Sequence, residues 1–320
     1  MRRGGVSVSD AGVLAYRAGV ASHRQVVWTD RAGTVQKTLV PSDDSALAYP
    51  ELSPDGRRVS FYRNQSGDGN IWLSDSETGR LTPFTFGTAN NSHGIWSPGG
   101  DRLVYRSSRG GRLNLFVKAF SGDEQPLVDS DQDKSPQDWT DDGKYLVFAA
   151  QAPKGQSDLW VLAMDGHSAP VALLQSDADE VQAQVSPDGR WLAYASNETG
   201  RYEVYVRSFP GGGAKQQISV GGGLFPRWAR SGRELFYVTE TARMMAVPVE
   251  ARAGGLAAGA PVSLFESRLT LGANSGIGGV SSRAPYAVAA DGRFLLAVIA
   301  DDAARSPITV VQNWQMALRK

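Results

Sequence analysis

The residue types that most often carry out catalysis or hold metals are scarce in this sequence. It contains no cysteine and three histidines, His23, His93 and His167, so disulfides, thiolate metal sites and cysteine nucleophiles are excluded. His23 and His167 stand in polar connections, which favours solvated side chains. His93 comes three residues before Trp96, where a predicted strand begins. It is expected either to bond a neighbouring Asn side chain or to contact a ligand or metal.

The acidic run DSDQDK at positions 129–134 begins like a calcium-binding loop. In an EF-hand the sixth position is Gly and the twelfth is Glu. Here those positions hold Lys134 and Thr140, so the run departs from the motif at two essential places. Asp129, Asp131 and Asp133 are therefore candidates for Ca²⁺ or another divalent ion, with a solvated acidic loop as the competing interpretation. No other cofactor is expected.

The serine-hydrolase elbow Gly-x-Ser-x-Gly is a further motif to test. The run GANSG at 272–276 has Asn at the middle position and fails. No catalytic residue is predicted. An enzyme would need acids, bases or metal ligands that converge on one face. The only candidates in the sequence are His93 and scattered carboxylates.

An internal repeat defines the elements that must position these residues. A Ser-Pro-Asp-Gly-like turn occurs seven times, and five of the six intervals between its glycines are 43–46 residues, the last being 60. Pro presets φ in such a turn, Asp bonds the backbone ahead, and Gly accepts positive φ. A core residue precedes each turn and an aromatic residue follows most of them. Each copy therefore predicts four short antiparallel strands, named a to d.

Such a sheet buries both faces only when like sheets stack around an axis. The sequence therefore predicts an all-β fold, a seven-bladed β-propeller of four-stranded antiparallel blades over residues 1–320 as one domain, with six blades as the alternative. The long interval is assigned to insertions at 252–259 and 268–283, the second a flexible loop. No N-terminal strand is seen to complete repeat seven. Its blade is expected to be three-stranded, or to be completed by a segment upstream of residue 1.

In several repeats the innermost strand, strand a, has a polar residue one position before its core residue. The seven residues there are Ser7, Glu51, Ile95, Asp138, Gln184, Arg227 and Ala287. Alternation turns them away from the core face, towards an axis where unpaired polar groups are costly. Glu51, Asp138, Gln184 and Arg227, with His93, are the predicted contacts of a small polar ligand. In the competing interpretation the four strand residues bond one another or loop backbone and hold the blades together.

The connections from strand d to the next strand a form what we call the top face. Binding is expected there and at the channel mouth. Three of them are acidic, at Asp43-Asp44, at 129–133 and at 177–180. A negative face would attract cationic ligands or basic segments of a partner, although solubility alone explains it equally well. A scaffold for a protein partner would instead need an exposed apolar patch, for which 46–49 and 224–225 are the candidates.

Composition excludes several classes of partner. Thirty-three basic residues balance thirty-three acidic ones, so there is no electrostatic reason to expect nucleic acid. No run approaches the length of an apolar membrane span, and the first residues lack the apolar core of a signal peptide. The chain is expected to bind no nucleic acid, to insert into no membrane and to be a monomer.

Several runs resemble TolB-type propellers of the wider WD-like group. The runs LVPSDDSALAYPELSPDGRRVSFYR, SDQDKSPQDWTDDGKYLVF and SPITVVQNW are most similar to the C-terminal propellers of bacterial membrane-anchored Ser/Thr protein kinases. The resemblance covers the whole chain but includes no kinase motif. It implies a non-catalytic, sensory module that binds a ligand or protein on the periplasmic or extracytoplasmic side of the membrane. The alternative is a propeller enzyme, such as a metal-assisted polysaccharide lyase or a hydrolase with its site at the channel mouth.

Overall fold

The structure, a computed structural model, describes residues 6–9, 13–16, 23–43, 45–65, 67–152, 155–252, 255–269, 271, 283–300, 309–312 and 314. Its 28 strands in these ranges pair antiparallel within separate sheets. The all-β propeller fold predicted from the repeat is confirmed. No helix among these residues is long and apolar enough to cross a membrane.

Five sheets follow repeats two to six, and we call them blades 1 to 5, with strands in chain order from the axis outwards. Blade 1 contains β5 (Ala46–Leu52), β6 (Arg58–Gln65), β7 (Asp68–Asp75) and β8 (Leu81–Pro83). Blade 2 contains β9 (Asn91–Trp96), β10 (Arg102–Ser107), β11 (Asn114–Ala119) and β12 (Glu124–Val128). Blade 3 contains β13 (Lys134–Trp139), β14 (Tyr145–Gln151), β15 (Ser157–Ala163) and β16 (Val171–Leu174).

Blade 4 contains β17 (Glu180–Val185), β18 (Trp191–Ser196), β19 (Glu203–Ser208) and β20 (Gln216–Gln217). Blade 5 contains β21 (Leu224–Trp228), β22 (Glu234–Val238), β23 (Arg243–Arg252), β24 (Gly255–Ala258) and β25 (Val262–Glu266). The extra strand β24 pairs with the end of β23, so the insertion at 252–259 lengthens a hairpin as predicted. The second predicted insertion, at 268–283, lies mostly outside the described residues.

The ring closes in a way that the sequence analysis did not foresee. Blade 6 combines β26 (Tyr286–Val288) and β27 (Phe294–Ile299) from repeat seven with β3 (Arg24–Thr29) and β4 (Val35–Val40) from repeat one. β27 pairs with β3 over six residues, from Phe294 opposite Thr29 to Ile299 opposite Arg24. The expectation of a three-stranded closing blade was therefore wrong, because the outer strands of repeat one complete it.

The first two strands of repeat one lie elsewhere. β1 (Val6–Val8) and β2 (Val13–Tyr16) form a three-stranded sheet with β28 (Thr309–Gln312) near the C-terminus. The expected equivalence of Ser7 with the channel residues therefore fails, since β1 is not an innermost strand of blades 1 to 6.

The inner strands show how many blades surround the axis in the described part of the chain. β5 packs against β9, and the contacts continue through β13, β17 and β21 to β26, which packs back against β5. Six clusters of buried apolar residues each lie between two successive blades of this ring. In the described part of the chain the ring of inner strands thus has six blades, which was the alternative count, and the three-stranded sheet of β1, β2 and β28 is a seventh sheet.

The large aromatic residues pack between blades, as predicted. Trp96 is 6% exposed and donates its indole N–H across the interface to the carbonyl oxygen of Glu51 at 3.1 Å. Trp228 is 5% exposed and bonds the carbonyl oxygen of Gln184 in the same way at 3.1 Å. Burying such a side chain contributes about 1.5–3 kcal/mol, and the indole bond fixes how neighbouring inner strands are placed relative to one another.

The repeated turn joins strand a to strand b with the expected chemistry. In blade 1 the Ser53 hydroxyl bonds the Asp55 carboxylate at 2.5 Å and accepts the N–H of Arg58 at 2.9 Å, while Gly56 has φ +70°. The turn ends the inner strand at a fixed distance from its core residue. The residue before that core position therefore recurs at the same height around the channel.

Inner strands also bulge three residues before the core position. Tyr49, His93, Gln182 and Phe225 have φ between 56° and 61° there, and the pairing register with strand b shifts beside each of them. A bulge re-aims the side chains around it. It separates the end of each strand nearest the turn from the end that leads to the top face.

Candidate functional site

A cavity of about 350 Å³ opens at the end of the central channel where the a-to-b turns lie. Four of the five predicted site residues, Glu51, Asp138, Gln184 and Arg227, contribute to its wall, together with turn residues of blades 1, 3, 4, 5 and 6. Binding was expected at the top face and at the channel mouth, whereas this cavity opens at the opposite face. Because these residues stand one position from the turn end of their strands, they line the turn side instead.

Glu51 is held between two arginines that reach across the channel. Its Oε2 accepts a hydrogen bond from Nη2 of Arg227 at 2.8 Å and another from Nη2 of Arg283. Burial alone would raise the pKa of Glu51, but the two guanidinium groups outweigh it and hold the pKa below its usual value. Glu51 is therefore ionised and paired with both guanidinium groups.

Asp138 and Gln184 each bind the backbone of the following blade. Oδ2 of Asp138 accepts the N–H of Val185 at 2.7 Å, and Oε1 of Gln184 accepts the N–H of Trp228 at 2.6 Å. Burial raises the pKa of Asp138 to about 7, although the Val185 N–H and Arg227 act in the opposite direction. These contacts match the interpretation in which polar channel residues hold blades together, while the side chain of Asp138 still lines the cavity.

An ion pair spans the mouth of the same cavity. Nη1 of Arg230, in the turn of blade 5, lies 2.9 Å from Oδ2 of Asp141, in the turn of blade 3. The turn of blade 4 lies between the two in the ring. Both side chains are about half exposed, so this pair contributes little stability.

His93 does not line the cavity. It is 1% exposed, its ring lies 4.3 Å from that of Tyr49, and its Nδ1 is 3.0 Å from the Ser92 hydroxyl. Burial, with Arg106 and Arg283 nearby, lowers its pKa well below the usual value, so the imidazole is neutral. The structure brings the other four predicted residues together and places His93 apart, at the bulge of blade 2.

Oxygen atoms of the DSDQDK run, at 129–134, surround the ammonium group of Lys134. Nζ of Lys134 donates to Oδ1 of Asn114 at 2.7 Å and to the carbonyl oxygen of Gln132 at 2.8 Å, while Asp133 accepts the N–H of Leu113 at 3.0 Å. The ammonium thus takes the oxygen ligands that a calcium ion would need. In the described ranges there is no group of three or more His, Cys, Asp or Glu side chains arranged to hold a metal ion.

The apolar segments proposed for a protein-docking patch are buried. Leu47 is 0% and Phe225 is 7% exposed, because both belong to inner strands packed between blades. The expectation of an exposed patch at 46–49 and 224–225 was wrong.

Arg283 is a channel residue that the sequence analysis missed. It was assigned to the end of a flexible loop, yet its side chain is 3% exposed, binds Glu51 and donates through Nη1 to the carbonyl oxygen of Gln137 at 2.6 Å. A signal was present, because Arg283 stands five residues before the core position of its repeat, as Lys134 and Glu180 do in theirs.

Known proteins of similar sequence or structure support the propeller architecture. Residues 7–154 match the family described as the TolB beta propeller domain. The "Uncharacterized peptidase YuxL" of Bacillus subtilis is 25% identical in an alignment of 210 residues, and the match covers 51% of this chain and 32% of that protein. The chain thus spans about a third of the length of that relative.

Two solved structures share the fold. TolB from Acinetobacter baumannii superposes with a TM-score of 0.59 at 16% identity, over 82% of each chain. An oligogalacturonate lyase in complex with manganese superposes with a TM-score of 0.53 at 13% identity, over 95% of this chain and 98% of that one. Together with the ring of packed blades, these likenesses show that the chain has the β-propeller fold, and its first half matches the TolB beta propeller domain.

Proposed function

We propose that the chain is a non-catalytic module, acting as one domain and a monomer, that binds a small polar ligand or a polar segment of a partner protein in the cavity at the turn face. The observation that carries the proposal is the cavity itself, about 350 Å³ of space against charged side chains at the channel mouth. A concave site with a few charged side chains that a ligand can contact is suited to recognition.

The charges of the wall favour a cationic group as the ligand. Six carboxyl groups face three guanidinium groups in the lining, those of Glu51, Asp55, Glu77, Asp138, Asp141 and Asp291 against Arg227, Arg230 and Arg293. Glu51, Asp141 and Asp291 are each bound to an arginine. Asp138 has only a backbone N–H on one oxygen. Asp138 is therefore the carboxylate that we assign to the ligand, with Glu51, Gln184 and Arg227 shaping the wall.

The setting of the module is proposed from resemblance. The TolB-type fold and the runs similar to kinase-linked propellers support a sensory or protein-binding role on the periplasmic or extracytoplasmic side of the membrane. A basic side chain or amino terminus of a partner would supply the cation that this wall favours.

Calorimetric titration with spermidine, arginine methyl ester and, as an anionic probe, glutamate tests the site. We expect the two cations to bind and glutamate not to bind. Replacing Asp138→Asn should weaken cation binding at least about tenfold, because a charge-assisted hydrogen bond contributes about 1.5–3 kcal/mol. Asp165→Asn, in an exposed outer turn of blade 3, is the matched control. Equal affinity of wild type and Asp138→Asn, or preference for glutamate, would refute the proposal.

An enzyme is the second candidate, and the relative described as a peptidase and the manganese-bound lyase of the same fold favour it. It requires metal-dependent turnover at the channel mouth. Assays of a chromogenic peptide and of an oligogalacturonate, each with and without manganese, separate the two functions. Turnover that Asp138→Asn abolishes would favour the enzyme, and no turnover on either substrate would favour the binding module.

A further inference from the structure

The interfaces between blades repeat one polar contact that can be compared from blade to blade. A residue near the start of strand c, two before its aromatic position, meets the residue five before the core position of the next blade. At the first two interfaces these pairs are Asn70 with Asn91 and Asn114 with Lys134. At the interface of blades 3 and 4 the pair is Asp158 with Glu180.

The first two pairs are satisfied internally. Nδ2 of Asn91 donates to Oδ1 of Asn70 at 2.9 Å. Nζ of Lys134 donates to Oδ1 of Asn114 at 2.7 Å and to the carbonyl oxygens of the loop before it. The second interface therefore contains a cation, the lysine ammonium, enclosed by oxygen atoms.

The third pair, Asp158 with Glu180, occupies the equivalent position, but its side chains are acidic where the second pair has a lysine. Asp158 and Glu180 are 5% and 4% exposed. Oδ2 of Asp158 accepts from Gln175 at 3.4 Å and Oε1 of Glu180 bonds the Ser176 hydroxyl at 2.5 Å. Oδ1 of Asp158 and Oε2 of Glu180 are buried and have no hydrogen-bond partner among the residues that the structure describes.

The energetic consequence is large. Asn114 with Lys134 carries a charge of +1, whereas Asp158 with Glu180 carries −2 when both are ionised. Strands β15 and β17, which carry the two side chains, pack against each other. Two buried carboxylates of like charge are not stable without a counter-charge.

We propose that Asp158 and Glu180 bind a hard metal cation of the Ca²⁺ class, in the position that the Lys134 ammonium takes at the neighbouring interface. The donors are all oxygen, which Ca²⁺ prefers. The connection from β16 to β17, which leads into Glu180, is fixed by Asp179, whose Oδ2 accepts from the Tyr202 hydroxyl at 2.7 Å and whose Oδ1 accepts the N–H of Ser157 at 2.8 Å. The site joins blade 3 to blade 4 and is separate from the channel cavity.

Two carboxylates imply modest affinity, in the range of extracellular calcium modules at about 10⁻⁴–10⁻³ M. Protein freed of metal with EDTA is titrated with CaCl₂ at about pH 8 and constant ionic strength, with MgCl₂ and NaCl as parallel probes. We expect a rise in Tm that saturates with Ca²⁺ at one ion per chain by calorimetry. Asp158→Asn should weaken binding at least about tenfold, whereas Asp131→Asn, in the loop around Lys134, should not change it.

The double variant Asp158→Asn with Glu180→Lys reproduces the neighbouring pair. It should have a Tm that does not depend on Ca²⁺. The proposal fails if wild type shows the same Tm with EDTA and with each cation, or if the variants bind Ca²⁺ as wild type does. A Tm that responds only to acidification through about pH 7 would show that a shared proton, not a metal, supplies the counter-charge. Titration of wild type and Asp158→Asn decides the question even if the double variant does not fold.

Discussion

Glu51 is the residue on which the charge of the channel depends. Arg227 and Arg283 have side chains that are 7% and 3% exposed, and both donate to the same carboxylate oxygen. Removing one member of a buried charge pair is costly because the other is left without compensation. The carboxylate at position 51 is therefore required for the structure, so the ligand contact that we propose is assigned to Asp138, the other acid of the channel.

Asp138 makes stability depend on pH in a defined direction. Its pKa is about 7 in the folded chain and 3.8 when unperturbed, so between these values the folded state holds a proton that the unfolded state has lost. Stability contributed by this proton is full below about pH 4 and disappears as the pH rises through about 7. The cause is burial, which disfavours the ionised carboxylate.

Replacing Asp138→Asn should remove this dependence while keeping an oxygen for the N–H of Val185. The free energy of unfolding of wild type relative to the variant is expected to fall by about 1–2 kcal/mol between pH 4 and pH 8. A full shift would give about 1.4 kcal/mol for each unit of pKa, and contact with the cavity reduces it. Urea unfolding of both proteins across that range measures the difference. A constant difference would contradict the raised pKa.

The inner strand, as an element, stores conformational strain. Its bulge places Tyr49, His93, Gln182 and Phe225 at positive φ, a region that is unfavourable for residues with a Cβ. The bonds that hold these bulges cross between blades, as in the N–H of Phe225 that donates to Oε1 of Gln182 at 2.7 Å. The bulges could not be predicted from the sequence, because Tyr, Gln and Phe, unlike His, are not enriched in the left-handed region.

The same kind of backbone strain can be measured at an outer hairpin. Ala242, between β22 and β23, has φ 62° and binds its surroundings through backbone atoms, accepting the N–H of Ser267 at 2.8 Å. Ala242→Gly should stabilise the chain by about 0.5–1 kcal/mol, because glycine accepts this conformation without steric cost.

Ala32 provides the matched control in another exposed turn, where its φ is not positive. Ala32→Gly should destabilise by about 0.5–1 kcal/mol, since glycine has more freedom to lose on folding. Urea midpoints of the two variants give the comparison. The same sign for both substitutions would show that backbone strain at Ala242 is not the cause.

At the scale of the whole molecule, the sequence predicted what local chemistry encodes. The turn at Ser53, the core position of Trp96 and the polar position of Asp138 repeat at a fixed spacing and could be read directly. Ring closure could not, because β2 and β27 are both compatible neighbours for β3 by pattern. The choice between them depends on packing on both faces of β3: Val27 joins the cluster with blade 5, and Val26 the cluster with blade 1.

A disulfide across the closure tests this arrangement, and the absence of native cysteine makes it unambiguous. Gln25 lies opposite Val298 in the β3–β27 pair, where side chains of antiparallel strands approach within about 5 Å. Gln25→Cys with Val298→Cys should form the bond on oxidation and stabilise the oxidised over the reduced protein. The closed loop is about 270 residues, so the gain should exceed by about 2 kcal/mol that of a pair within one hairpin.

Arg102→Cys with Ala119→Cys, opposite each other on β10 and β11, is the hairpin control with a loop of about 17 residues. Urea unfolding of each variant, oxidised and reduced, gives the stability that each disulfide adds. Because the reduced form of the same variant is the reference, the packing lost at Val298 cancels from the comparison. A disulfide that forms in the hairpin but not between positions 25 and 298 would mean that repeat one does not complete the last blade. Because β3 is the strand through which the two ends of the chain close the ring, the six-bladed architecture depends on this result.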